Sequence, residues 1–190
     1  MDGPHVVESI SRGDWEQREV YAKFGLAIYF CQCLESQVVN YVIALRGAAG
    51  SVTTRQEVDA LFGELFGNTL GRNLRHAVRI LGDDKILLDE LEPVLRLRNE
   101  LVHHWMRERA LDQGTSNKRR AMVEELDAAI EQLQAADAKL VERTQRLLEQ
   151  IGVSRVAIEK EHERLSRIAE SDGAENVMQD FEVVTKARRR

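Results

Sequence analysis

The chain has 190 residues, 43% hydrophobic and 31% charged, with only 2 prolines and 12 glycines. That is enough chain to bury a core without staples, and the composition favours helices over any large sheet. A net charge of -5 and a pI near 5.6 exclude nucleic-acid binding through bulk charge, because phosphate contacts need concentrated basic surface.

Residues 1 to 13, with Gly3, Pro4, Ser9, Ser11 and Gly13, read as a flexible N-terminal arm. Its early acids, Asp2 and Glu8, are unlike a signal peptide, and the longest apolar run, Phe24 to Cys31, is too short to span a bilayer. The expected setting is cytoplasmic, without membrane contact. Asp14 and Gln17 approximate a capping box, so a first helix is expected from Asp14. Its stripe of Val20, Phe24, Ala27, Ile28, Cys31, Leu34, Val38, Val42 and Leu45 keeps the 3.6-residue period until Gly47 and Gly50. Glu35 falls on this apolar stripe, a costly place for a carboxylate. Cys31 and Cys33 project about 200° apart on a helix, so they read as separate reduced thiols and not as a bridge or a metal pair.

Thr54 and Glu57 form a better capping box, opening a helix with Val58, Leu61, Phe62 and Leu65 on one side. The stretch "FGNTLG" breaks it, and Thr69 is placed to cap a continuation through Leu70, Leu74, Val78 and Leu81. A third helix is expected from Asp83 or Asp84 through Leu87, Leu91, Val94, Leu95, Leu101, Val102 and Trp105, kinked or restarted by Pro93. The last helix is expected from Ser116 to about Glu170, with Gly152 as its weak point. Leu126, Leu133, Leu140 and Leu147 recur every seven residues, and Val123, Ile130, Asp137, Thr144 and Ile151 fill the alternate seam. That stripe either packs on the chain's own bundle or pairs two chains. From Ser171 a polar tail ends in "KARRR", either solvated or touching RNA. The expectation is an all-α bundle of about four main helices with a long C-terminal helix, over residues 14–170, between the arm and a tail at 171–190.

"RLRNELVHHW", Arg96 to Trp105, places polar groups inside a buried-type pattern. Arg98 lies mid-stripe among Leu91, Leu95, Val102 and Trp105, where an uncompensated guanidinium costs several kcal/mol. It must find a carboxylate or an anion, and Glu35, equally misplaced on the first helix, is the candidate partner. Asn99 and His103 are one turn apart on a neighbouring face, while Glu100 and His104 project oppositely. Arg96 and Arg107 fall on the side of His103, where the three form a small basic patch or a solvated face.

"RNELVH" has the form Arg-Asn-x-x-x-His, which resembles the motif helix of the HEPN superfamily. The order of "FGLAIYFCQCLE", "LFGNTLG" and "RNELVHHW" is similar to that of bacterial HEPN-like proteins, over roughly Trp15 to Arg109. The resemblance implies an up-and-down bundle that dimerises so that two motif helices face one cleft. It also implies a metal-independent ribonuclease, without cofactor, of toxin–antitoxin or antiviral systems. In that chemistry His103 takes the proton of a ribose 2′-hydroxyl, Arg98 holds the phosphorane charge and Asn99 orients either group or the phosphate. Glu35, Arg96 and Arg107 would support the site. The implied partners are a second copy, RNA and an antitoxin-like protein. Other members of the superfamily have lost activity and serve as binding or scaffold modules, and that is the alternative here, beside a plain helical assembly protein.

Overall fold

The computed structural model describes residues 12–68, 70–81 and 85–154, with isolated helical positions at 156, 159, 160, 163 and 167. They divide into two compact units, the first ending at Thr144 and the second beginning at Gln145. Every regular element among the described residues is helical. The expected arm and tail lie outside the described residues, except that helix is already present at Arg12 and Gly13.

Helix α1 runs Arg12–Ala48. Its stripe is the heart of the core: Val20, Ala27, Cys31, Leu34, Val38, Val42 and Leu45 are all buried. The helix stops because Gly50 adopts φ +68°, which lets the amides of Gly50 and Ser51 turn back onto the carbonyls of Gly47 and Arg46, each at 2.9 Å. Helix α2 runs Arg55–Phe66 and is opened by a complete capping box. The Glu57 amide donates to Thr54 Oγ1 at 3.3 Å, and the amides of Thr53 and Thr54 donate to Glu57 Oε2 at 2.9 and 3.0 Å. Those amides hold the Glu57 carboxyl below its usual range.

Gly67 ends α2, and α3 (Leu70–Leu81) starts as a separate helix, so the described residues contain five main helices where about four were expected. The junction is stitched by Asn73, whose Nδ2 donates at 2.9 Å to the carbonyl of Leu65 near the end of α2. Thr69, Gly82, Asp83 and Asp84 lie outside the described residues. Helix α4, Lys85–Glu100, continues through Pro93. It then widens into a single π turn at Leu101–Trp105, returns to α geometry over α5 (Met106–Glu108) and passes through a 3-10 turn at Ala110–Gly114.

Helix α6, Ser116–Gln150, ends well short of Glu170. Gly152 takes φ +82°, and the Val153 amide caps the Leu148 carbonyl at 2.9 Å, so the expected weak point is the stop. Leu126, Leu133 and Leu140 have no exposed surface within the single chain, so the bundle itself covers these three, whereas Leu147, the fourth of the row, is half-buried. Of the alternate seam, Ile130 and Thr144 are buried, whereas Val123 and Asp137 are only half-buried. Burial pushes the Asp137 carboxyl above its ordinary range.

Side-chain pairs fix the topology. Arg119 meets Glu16 at 2.8 Å, Lys23 meets Asp127 at 2.6 Å and Gln37 Nε2 donates to Thr144 at 3.1 Å. Partner numbers rise together along both helices, so α1 and α6 run parallel. Glu35 with Arg98 and Phe24 with Trp105 run in opposite order, so α4 lies antiparallel to α1. Arg143 with Glu90 and Arg109 with Glu125 set α4 and α5 antiparallel to α6 in the same way. The result is an up, down, up core, with α2 and α3 packed on α1.

Candidate functional site

Helix α4 buries Leu91 and Val94 and the π turn buries Leu101 and Trp105, and with Arg98 they form a row spaced 3, 4, 3 and 4 residues, a coiled-coil seam interrupted once by charge. The interruption is met from α1. Arg98 Nε donates to Glu35 Oε1 at 2.6 Å, Nη2 contacts the same oxygen, and Nη1 donates to Asn99 Oδ1 at 3.1 Å. The side chains of Arg98 and Glu35 keep 20% and 34% of their surface, so the pair is screened from solvent without being sealed. Asn99 is exposed.

Cys31, one helical turn before Glu35, feels the same two charges. Burial pushes its thiol up to about 11, with Arg98 pulling down and Glu35 pushing up by smaller amounts. Protonated at neutral pH, it is a packing group and not a nucleophile. Cys33 is also free, and the two cysteines form no disulfide.

The π turn presents the histidines. Its ends are anchored by Leu101 and Trp105, both buried, and the Trp105 ring stacks on Phe24 with centroids 5.7 Å apart and planes 16° apart. Between these anchors Val102, His103 and His104 are exposed. Val102 was expected on the apolar stripe. The i to i+5 bonding of a π turn adds a residue to the circuit, and Val102 faces outward with 39% of its surface exposed. π turns are rare and often coincide with functional sites.

The rings of His103 and His104 meet edge to face, with centroids 6.1 Å apart and planes at 66°. Among the described residues His103 makes no side-chain hydrogen bond. Arg107 Nη2 lies 3.1 Å from His104 Nδ1. A guanidinium only donates, so the contact is a hydrogen bond in the tautomer that leaves Nδ1 unprotonated. Arg96 pairs with Glu92 at 2.9 Å within its own helix. Of the three members of the anticipated basic patch, then, Arg96 is engaged by an acid and Arg107 by the other histidine.

Three features were not anticipated. One is the π turn. Another is the Glu16–Arg119 pair, the most enclosed ion pair among the described residues at 13% exposure on each side, tied further by Ser116 Oγ donating to Glu16 at 2.6 Å and by Arg119 donating to the Gln113 carbonyl at 2.7 Å. The third is a cavity of about 320 Å³ between α1 and the α2–α3 junction, with Glu35 in its wall. Asn73, which also lines it, is buried, and its signal was its spacing: Leu70, Asn73 and Ala77 share one buried face of α3.

Comparison of the chain with protein-family models, with curated proteins and with solved structures finds no match.

Proposed function

We propose that the protein is a metal-independent endoribonuclease of the HEPN type that works as a homodimer, with Arg98, Asn99 and His103 as its working residues. The observation that carries this reading is the motif helix itself. An arginine is set in an otherwise apolar seam and oriented by Glu35 and Asn99, five residues before an exposed imidazole on a π turn.

The step is internal transesterification. His103 removes the proton of the ribose 2′-hydroxyl, the 2′-oxygen attacks the adjacent phosphorus, and the P–O5′ bond breaks, leaving a 2′,3′-cyclic phosphate and a 5′-hydroxyl that takes up a proton. Arg98 stabilises the charge that gathers on the phosphoryl oxygens. A toxin or antiviral role, restrained by an antitoxin-like protein partner, is the setting that the resemblance to HEPN proteins supports.

The test is cleavage of RNA by the purified chain in excess chelator. Activity is expected to persist, and His103→Ala to lower it by about 10²–10⁴-fold, as loss of a general base does. Arg98→Ala should be similarly damaging, whereas His104→Ala should matter far less. Cleavage unchanged in both the Arg98 and His103 variants would rule out this site.

One observation favours a second reading. All three nitrogens of Arg98 already contact Glu35 or Asn99, which suits a structural ion pair in a catalytically silent interaction module. Failure of the folded wild type to cleave any RNA class would select it.

A further inference from the structure

The buried row of α1 has a counterpart on the far side of the same helix. Trp15, Arg18, Ala22, Gly25, Tyr29 and Gln32 follow one another at alternating steps of 3 and 4 residues, which sets them in one line away from Val20, Ala27 and Leu34, and all six are exposed. This line is almost without charge. Between Glu19 and Arg46 the only charged residues of α1 are Lys23 and Glu35, and both are engaged inside the chain, by Asp127 and Arg98. A helix face left to water ordinarily carries charged and polar side chains. Here Trp15 keeps 62% of its surface exposed, Tyr29 57% and Leu26, beside them, 41%. Gly25 is a second anomaly. Glycine inside a helix costs stability relative to alanine, and no other element of the chain lies within 4 Å of where its Cβ would stand, so nothing packed inside the chain calls for so small a residue.

We propose that this outer face of α1 is the contact surface for a second copy of the chain, laid antiparallel about a two-fold axis midway between Ala22 and Gly25. The row is self-complementary in that arrangement, as a two-fold interface requires. Ala22 meets the partner's Gly25, the two smallest residues of the row, so the helix backbones approach most closely at the axis. Arg18, the only charged member, meets the partner's Tyr29, where a guanidinium over an aromatic face is attracted to the ring. Trp15 meets the partner's Gln32 at either end. A parallel pair would instead set Arg18 against Arg18, which charge opposes. The area is of the right order for a reversible dimer. Large aromatic side chains bury about 150–250 Å² each, so Trp15 and Tyr29 at their present exposure offer about 180–300 Å² per copy, and the rest of the row with Leu26 carries the total over both copies toward the roughly 1,000 Å² of a small specific interface. Helix α4 is held on another side of α1, through Glu35 and Phe24. The pairing therefore does not join two motif helices across one cleft, and it stands apart from the ribonuclease reading.

The experiment is sedimentation of the full chain from micromolar to millimolar concentration, beside Gly25→Lys. The wild type is expected to associate reversibly, and Gly25→Lys to halve the mass of the largest species, because two ammonium groups then meet at the axis. Its melting temperature at dilution should be no lower than that of the wild type, since lysine is the better helix former and the space at Gly25 is open. A double-mutant cycle fixes the register. Arg18 and Tyr29 stand about 16 Å apart along one helix and touch only across the axis, so Arg18→Ala and Tyr29→Ala should each weaken association severalfold, and the double variant by less than the product of the two. A wild type that stays monomeric throughout, or a folded Gly25→Lys that assembles as far as the wild type, would overturn the proposal, and multiplicative losses in the cycle would overturn its antiparallel register. The ribonuclease has its own outcome: RNA cleavage by a chain whose Gly25→Lys variant assembles normally keeps the enzyme and removes this surface, whereas halved mass in a chain that cleaves nothing does the reverse.

Discussion

At the scale of single residues, the strongest determinant of the site is a charge in the wrong place on each of two helices. Removing one member leaves the other half-buried without a counter-ion. Full burial would make that loss about 3–5 kcal/mol and full exposure at most about 1; with Glu35 at 34% and Arg98 at 20% exposure, Glu35→Ala is expected to destabilise the first unit by about 2 kcal/mol, read as a shift in urea midpoint. An unchanged midpoint would mean that the pair contributes no net stability. This contact was legible in the sequence because both residues interrupt apolar stripes. Glu16 and Arg119 were harder to read: they stand in register just before their apolar rows, Glu16 four residues before Val20 and Arg119 seven before Leu126, and so extend those rows without interrupting them, while their enclosure depends on Ser116 and on the Gln113 carbonyl of the 3-10 turn.

Cys31 supplies a pH signature. Its thiol ionises near 11 in the folded chain against an ordinary 9.0. Below pH 9 both states hold the proton and stability is unaffected. Between 9 and about 11 the unfolded chain holds fewer protons than the folded one, so stability falls as pH rises. Denaturation curves collected from pH 8 to 11 should show this decline, and Cys31→Ala should make it shallower. Parallel slopes would contradict the assignment.

Among the elements, glycines separate positions that require their freedom from those that do not. Gly50 sits at φ +68°, so Gly50→Ala is expected to cost about 1 kcal/mol by forcing a side chain into left-handed backbone. Gly63 lies inside α2 with open space where a Cβ would go, and Gly63→Ala should stabilise by about 0.5–1 kcal/mol. Thermal melts of the two variants should move in opposite directions. The Thr54 box and the stop at Gly50 were readable because they rest on local chemistry, whereas Gly152 read only as a weak point in a helix expected to reach Glu170 and is where that helix stops. The π turn was not readable. Leu101 and Trp105 are four residues apart, a spacing that an ordinary α-helix satisfies equally well, and only the outward turn of Val102 betrays the wider circuit. The break between α2 and α3 was readable from "FGNTLG", but the Asn73 side chain that joins them was not.

For the whole molecule, the heptad leucines of α6 were ambiguous between packing at home and pairing with a second chain, since both require the same pattern. The observed burial of Leu126, Leu133 and Leu140 within one chain leaves a dimer to be built from other surfaces. Sedimentation at micromolar concentration is the measurement that decides the shared-cleft arrangement, and a monomer there would remove it.

The parallel course of α1 and α6 also governs when the chain can fold. The α6 partners of α1 lie 100 to 107 residues further along. At about 5–20 residues per second of synthesis, the first helix waits roughly 5–20 s on the ribosome before the surface that covers it has been made. Its row of Val20, Ala27, Leu34 and Val38 is meanwhile a target for chaperones or for other nascent chains. Such distant pairing is also slow to form in the free chain, because loop closure precedes the contacts that compensate it. A chain ending at residue 115 should therefore be expanded and bind hydrophobic dyes, with amide exchange in α1 as fast as in an unfolded peptide; native-like protection there would show that α4 alone suffices to close the core.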